Sequence, residues 1–188
     1  MKYIFAFLAA FIITAVVKLI FSEKIKKKKP SLKPFFSKLI YTDQKVKRKK
    51  EDVIYSKILY CEEYELKGKP DFIFKNIFTG MLIPVELKSG SIGNEPYPRK
   101  GDLMQLAAYF IIIEEYFNIK PKSGRLIYSD YMFVVKNTNK LRQETLNIVC
   151  QMRNMLLTGE GDAASNFAKC RYCFMRNTVC EFSPFNKI

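Results

Sequence analysis

The sequence predicts an α/β fold, a mixed sheet flanked by helices and preceded by one N-terminal transmembrane helix. Three observations carry that expectation. Short apolar runs bounded by turn residues lie between residues 53 and 88. Two longer stretches with a helical apolar stripe follow, over 102–117 and 141–157. Residues 3–17 carry no charged side chain, and the apolar run resumes after Lys18 with Leu19, Ile20 and Phe21.

Tyr3 to Phe21 is about long enough to cross a hydrocarbon layer of ~30 Å. Lys18 stands near its end and can reach back to the interface. A cleaved signal peptide has a positive front and a small-residue cleavage site. Here the front holds only Lys2, and the positive cluster, Lys24 to Lys29, comes after the apolar run. That order predicts an outside N-terminus, a single span and a cytoplasmic domain. The chain then divides into an anchor (1–21), a basic linker (22–50) and one domain (51–188).

The formal charge of +14 is concentrated in that linker. Residues 22–50 hold twelve Lys and Arg against Glu23 and Asp43, a net +10. Residues 51–188 hold 18 basic and 16 acidic side chains, a net +2. A basic stretch beside a membrane segment fixes topology and meets anionic lipid, worth ~1 kcal/mol per residue near the surface. Holding DNA by counterion release is the alternative use. Pro30 and Pro34 argue against one continuous helix from membrane to domain.

Within the domain, Val53 to Leu59 reads as a strand and Pro70 to Phe74 as a second. Lys75 to Gly80 supplies turn residues. Met81 to Lys88 is a third strand, apolar enough to be buried. Ser89 to Gly101 is a loop rich in Gly and Pro. Asp102 to Phe117 is a helix with Leu103, Leu106, Ala107 and Phe110 on its stripe. Arg125 to Val135 holds one or two strands, and Leu141 to Leu157 is a second helix closed by Gly159.

The chain has five Cys, no His and no Trp. The lack of His excludes a Ser-His-Asp triad, a Cys-His pair and a Cys/His zinc finger. Carboxylate–metal, Lys and Cys-only chemistry remain. Asp71 and Glu86 fall on two strands joined by a short turn, so their carboxylates can converge. Two carboxylates with water and a phosphate oxygen suit Mg²⁺ or Mn²⁺. Glu86 and Lys88, at i and i+2, share one face of a strand, which puts an ammonium beside that metal. It can orient water or neutralise charge developing on phosphorus. Leu87 points the other way, towards the core, and its backbone carbonyl is a further candidate ligand. Gln105 and Tyr109 lie one helical turn apart, placed to contact a phosphate or base.

Cys170-x-x-Cys173-x6-Cys180 lies near the C-terminus. Cysteines at that spacing suit zinc or an iron–sulfur cluster. Cys61 and Cys150 are the candidates for a fourth ligand, with buried apolar Cys as their ordinary role.

From Ile54 to Cys180 these motifs resemble the PD-(D/E)xK nucleases of the RecB type, and most closely the fourth CRISPR-associated (Cas) protein family of iron–sulfur exonucleases. Gly68-Lys-Pro-Asp71 resembles the family's Gly-x-x-Asp, Glu86-Leu-Lys88 its Glu-x-Lys, and Gln105-Leu-Ala-Ala-Tyr109 its Gln-x-x-x-Tyr. Cys170, Cys173 and Cys180 resemble three cluster ligands. The resemblance implies a restriction-endonuclease-like fold, a [4Fe–4S] cluster, and metal-dependent cleavage of DNA, chiefly from single-stranded ends. It implies CRISPR adaptation or repair proteins as partners. The chain departs from the family in lacking the His upstream of the motif Asp, the early cluster Cys, and the usual soluble form.

Overall fold

The computed structural model describes residues 25–45, 48–161, 170–171, 173–177 and 180. The expected anchor lies outside the described residues. Among them no helix is long and apolar enough to cross a membrane. The chain divides into two compact units, Met1–Thr145 and Leu146–Ile188.

The first unit is built on a seven-stranded mixed sheet. In chain order its strands are β1 (Lys26–Lys28), β2 (Ser37–Thr42), β3 (Ile54–Tyr55), β6 (Phe72–Asn76), β7 (Leu82–Leu87), β8 (Ser123–Ile127) and β9 (Met132–Lys136). Their spatial order is β1-β9-β8-β7-β6-β2-β3. β7–β8 and β2–β3 are parallel; the other pairs are antiparallel. A separate hairpin pairs β4 (Leu59–Cys61) with β5 (Leu66–Gly68). Helix α1 (Lys100–Phe117) connects parallel neighbours β7 and β8, the crossover that such strands require. Helix α2 (Asn139–Thr158) follows β9 and begins in the first unit. The second unit holds the rest of α2 and a 3₁₀ turn at Phe174–Asn177.

Helix α1 is apolar nearly all round because it is covered on two sides. It packs on β7 and β8 of the large sheet and on the β4–β5 hairpin. Leu106, Ala107 and Phe110 join Leu126, Tyr128, Phe133, Val135 and Leu141 in the main core. Each such large side chain contributes ~1.5–3 kcal/mol on burial. The helix sits close enough to demand glycine at two contacts. A Cβ on Gly124 would meet Phe110 at 2.9 Å and the Pro84 carbonyl at 3.0 Å. A Cβ on Gly68 would meet the Tyr109 ring at 2.7 Å.

The sheet has two chemically different ends. At one lie Thr42, the start of β6 and the end of β7, in register Thr42↔Phe72↔Val85. At the other lie Ser37, Asn76 and the Ile77–Gly80 turn. β1 runs towards the first end, antiparallel to β9, with Lys26 level with Val134, Arg125 and Val85 and Lys28 beside Met132.

Three expectations are corrected. The segment 22–50 is not simply a linker, because β1 and β2 belong to the sheet. An edge strand needs backbone partners rather than apolar side chains, so a lysine run can form one, and lysine there discourages pairing with other chains. Lys27 is tied in: its ammonium bonds the carbonyls of Gly93 and Glu95 and lies 4.1 Å from the Tyr131 ring centre. The strand expected over 53–59 is split into β3 and β4. Ser56, at φ 49°, turns the backbone and donates its N–H to the Thr42 carbonyl (2.9 Å). Leu87 faces away from Glu86 but is 40% exposed, since β7 ends there beyond the core.

Candidate active site

The two expected carboxylates meet at the polar end of the sheet. Asp71 stands one residue ahead of β6, and Glu86 is the second-last residue of β7. The Leu87 N–H donates to Asp71 Oδ2 (2.7 Å), and the Asp71 N–H approaches Glu86 Oε2 (3.4 Å). Each residue therefore orients the other through main-chain donors. The Asp71 carbonyl accepts from Thr42 Oγ1 (2.9 Å) and the Asp43 N–H (3.1 Å), which fixes its backbone to β2. Gln44 Nε2 donates to Asp71 Oδ1 (3.0 Å).

Glu86 is 6% exposed. Burial first, then the neighbouring Asp71 charge, raises its pKa above the ordinary carboxylate value; the Lys88 ammonium opposes that shift. Lys88 Nζ lies 3.2 Å from Glu86 Oε1 and bonds Gln105 Oε1. Gln105 Nε2 donates to Glu86 Oε1 (2.8 Å) and to the Tyr109 hydroxyl (3.0 Å). That hydroxyl donates to the Lys69 carbonyl (3.2 Å). Gly68, which gives way to the Tyr109 ring, and Lys69 are thus held on α1, and the strap delivers Asp71 to the site. Gln105 and Tyr109 bind protein groups here.

Asp102 is a member that spacing alone did not single out. Its Oδ1 lies 3.4 Å from Lys88 Nζ, and its Oδ2 accepts from the Tyr128 hydroxyl (2.5 Å). Asp102, Gln105 and Tyr109 fall at i, i+3 and i+7, one stripe of α1. That spacing was the available signal: an acid one turn before Gln105 on the same face. Burial and the Asp102 hydrogen bond push the Tyr128 pKa up to about 12, so Tyr128 stays a donor.

Asp71, Glu86 and the Leu87 carbonyl fit a hard divalent cation. Burial first and the Asp71 charge second raise the Glu86 pKa, and a cation between the two carboxylates would relieve the second of these. Neighbouring N–H and C=O of a strand residue share an edge, so the Leu87 carbonyl opens on the side where its N–H meets Asp71. Two carboxylates completed by water and phosphate are characteristic of Mg²⁺ sites.

The loop after β7 is shaped by Asp130, whose carboxylate accepts from the N–H groups of Ile92 (2.9 Å) and Gly93 (2.7 Å). A pocket of about 480 Å³, separate from the carboxylates, is lined by Ile92, Glu95, Tyr97, Pro98 and Arg99. The Arg99 guanidinium lies 5.6 Å from the Tyr128 ring centre, and the Arg99 backbone N–H donates to the Tyr128 hydroxyl (3.3 Å).

The cysteines are distributed otherwise. Among the described residues no disulfide joins any of the five. In the second unit Cys170 is buried, Cys173 exposed and Cys180 partly buried, with the Cys173 N–H donating to the Cys170 carbonyl (3.0 Å). Cys150 is exposed on α2. Among the described residues no three His, Cys, Asp or Glu side chains gather as a metal-ligand group. Cys61 is a buried donor to Glu115 Oε2 (2.6 Å), and burial followed by that bond pushes its pKa up to about 11.

No protein-family model matches this chain, and no curated protein matches it. Among solved structures it is similar to one titled "Crystal structure of SSO0001", at 15% identity and a TM-score of 0.45, covering 97% of this chain and 71% of that one. At that level the likeness carries no argument about activity.

Proposed function

We propose that this chain is a divalent-metal-dependent deoxyribonuclease of the RecB-type PD-(D/E)xK class, with a restriction-endonuclease-like fold, acting as an exonuclease on single-stranded ends. The observation that supports it is one bonded cluster drawn from four segments. Asp71 comes from the strap before β6, Glu86 from β7, Lys88 from just beyond β7, and Gln105 and Tyr109 from α1. Joint convergence is a stronger argument than any one motif, since each pair alone is common on ordinary surfaces.

Asp71, Glu86 and the Leu87 carbonyl would hold Mg²⁺ or Mn²⁺, which supplies Lewis-acid polarisation of a phosphate and an activated water. Lys88 stands beside them, mostly buried, to neutralise charge developing on the phosphoryl oxygens. Gln105 holds Glu86 and Lys88 in register through both its amide atoms. Exposed Tyr97 and Arg99 offer a ring and a cation to a single strand entering the loop. The proposal includes a membrane tether at residues 1–21 with the nuclease domain cytoplasmic, a C-terminal [4Fe–4S] or zinc site using Cys170, Cys173 and Cys180, and CRISPR adaptation or repair proteins as partners.

The test uses the full chain, purified without oxygen in detergent, with end-labelled single-stranded DNA and Mn²⁺. Progressive shortening that is lost in Glu86→Ala supports the nuclease. Equal cutting by both proteins sinks it. The second reading is a non-catalytic module that binds DNA or a partner protein at the membrane. The absence of any His favours it, because the upstream ligand of the related nucleases has no counterpart of that type. It expects DNA binding with no metal-stimulated turnover.

A further inference from the structure

The end of the sheet remote from the carboxylates carries large apolar side chains in the open. Phe35 is 85% exposed and Phe78 74%, with Leu32, Phe36 and Ile77 also exposed beside them. These are not stray side chains. The Phe36 and Phe78 rings meet edge to face at 5.2 Å, and the Ile77 N–H donates to the Phe36 carbonyl (2.9 Å). Phe36 adopts φ 48°, a left-handed conformation uncommon for an aromatic residue. Two chain segments, the approach to β2 and the β6–β7 turn, are thus joined into one apolar tip.

We propose that this tip is an interfacial membrane-docking surface, set against an anionic bilayer with its phenylalanines in the headgroup boundary. The inference rests on the reading of residues 3–21 as a membrane anchor and is independent of the nuclease chemistry. Its first support is the place where the chain enters. Phe21, the end of the apolar segment, is four residues before Ile25, a reach of at most ~14 Å. β1 stands level with Val134, Arg125 and Val85, but its direction is from the tip's side towards the carboxylates, so backbone traced back from Lys26 through Ile25 leads towards the tip, and the reach above spans the few residues of strand between them. The second support is charge. Lys33, two residues before Phe35, is exposed, as are Lys122 and Lys136 at the starts and ends of β8 and β9 on this same end. Lys38 pairs with Asp52 at 3.9 Å on the neighbouring edge. Aromatic and aliphatic side chains ringed by lysine match an anionic lipid surface. A second copy of the same tip would instead set lysine against lysine.

Docking here has a geometric result. Six residues separate Asp71 from Ile77, so the carboxylates stand ~20 Å from the tip along the strands. The site then faces away from the membrane, open to a polymer in solution.

The chain has no Trp, so one introduced Trp reports its own surroundings. The experiment places full-length Phe78→Trp in anionic vesicles, with Tyr97→Trp, in the loop after β7, as the reference. The proposal expects Phe78→Trp emission to shift to shorter wavelength, to be quenched by lipids brominated at ~5–10 Å depth, and to be shielded from iodide. Tyr97→Trp should remain open to iodide and unquenched by the lipid. Vesicle-bound protein in which both Trp residues are equally open to iodide overturns the docking surface and leaves the anchor standing. Protein that does not float with vesicles overturns both. A blue shift that grows with protein concentration in lipid-free detergent overturns it in favour of self-association. None of these readings involves cleavage, so an inactive enzyme does not confuse them.

Discussion

The two ends of the seven-stranded sheet use opposite means of holding side chains. At the carboxylate end almost every polar tip is already spoken for: Asp71 by Leu87 and Gln44, Glu86 by Lys88 and Gln105, Lys88 by Asp102. At the phenylalanine end the rings meet one another and otherwise face outwards. Bonded polar groups give a fixed geometry and leave little freedom for reorganisation, which is what transition-state stabilisation requires. Exposed rings give little geometry but a large apolar area, which suits a deformable partner. One sheet thus separates a part that must be rigid from a part that need only be sticky.

The largest expected effect breaks the polar end. Replacing Asp71 or Glu86 by Ala should lower the cleavage rate by roughly 10³-fold, with circular dichroism unchanged, the scale of removing a preorganised charged group. Wild-type rates in either variant would detach these residues from the chemistry.

Next comes the strap. Gly68→Ala places a methyl 2.7 Å from the Tyr109 ring, and the helix behind that ring is packed. A loss of ~1–3 kcal/mol in stability is expected, read as a lower urea midpoint at unchanged slope. Gly101→Ala is the control: nothing lies within 4 Å of the added methyl, and its backbone is not left-handed.

The pH dependence sharpens the comparison further. Glu86 has a raised folded pKa, so in metal-free protein its contribution favours the folded state at low pH and is lost as pH rises through that pKa. A bound cation competes with the same proton. The Tm gain from Mn²⁺ should therefore be absent at acid pH and grow as pH rises through the Glu86 pKa, measured by differential scanning fluorimetry. In Glu86→Gln the gain should be smaller and flat across that range. A pH-independent gain in wild type would place the cation elsewhere.

The smallest expected effect concerns Asp102, which touches Lys88 and Tyr128 but neither carboxylate. As a positioning residue it should change kcat and leave KM nearly alone, by roughly tenfold for Asp102→Ala. Asp102→Asn keeps an acceptor for Tyr128 and should recover part of the loss. An equal rise in KM would instead assign Asp102 to substrate binding.

Much of the mixed sheet and both helices was legible in the sequence, because β6, β7 and the two helices carry strong periodicity and sit between Gly, Pro and Asn breaks. Asp71, Glu86, Lys88, Gln105 and Tyr109 were legible as a set and lie together. β1 and β2 were not, since a run of lysine reads as solvated charge while an edge strand is made by its backbone. Asp102 was missed because its role arises from a tertiary contact with Lys88, fourteen residues away. The hydrogen bond from Cys61 to Glu115, fifty-four residues on, is likewise a tertiary contact that no local pattern announces.

The short edge strand β1 has a mechanical meaning. Its hydrogen bonds to β9 run across the strand axis, so a pull on Ile25 along that axis would load them in shear. Load from the proposed tether would then be shared by the Lys26–Lys28 bonds, rather than opening them one at a time from an end. Lys27, clipped to Gly93 and Glu95, adds a side-chain rivet to the same joint. Three residues are few for a splice, but they are loaded in their strongest direction.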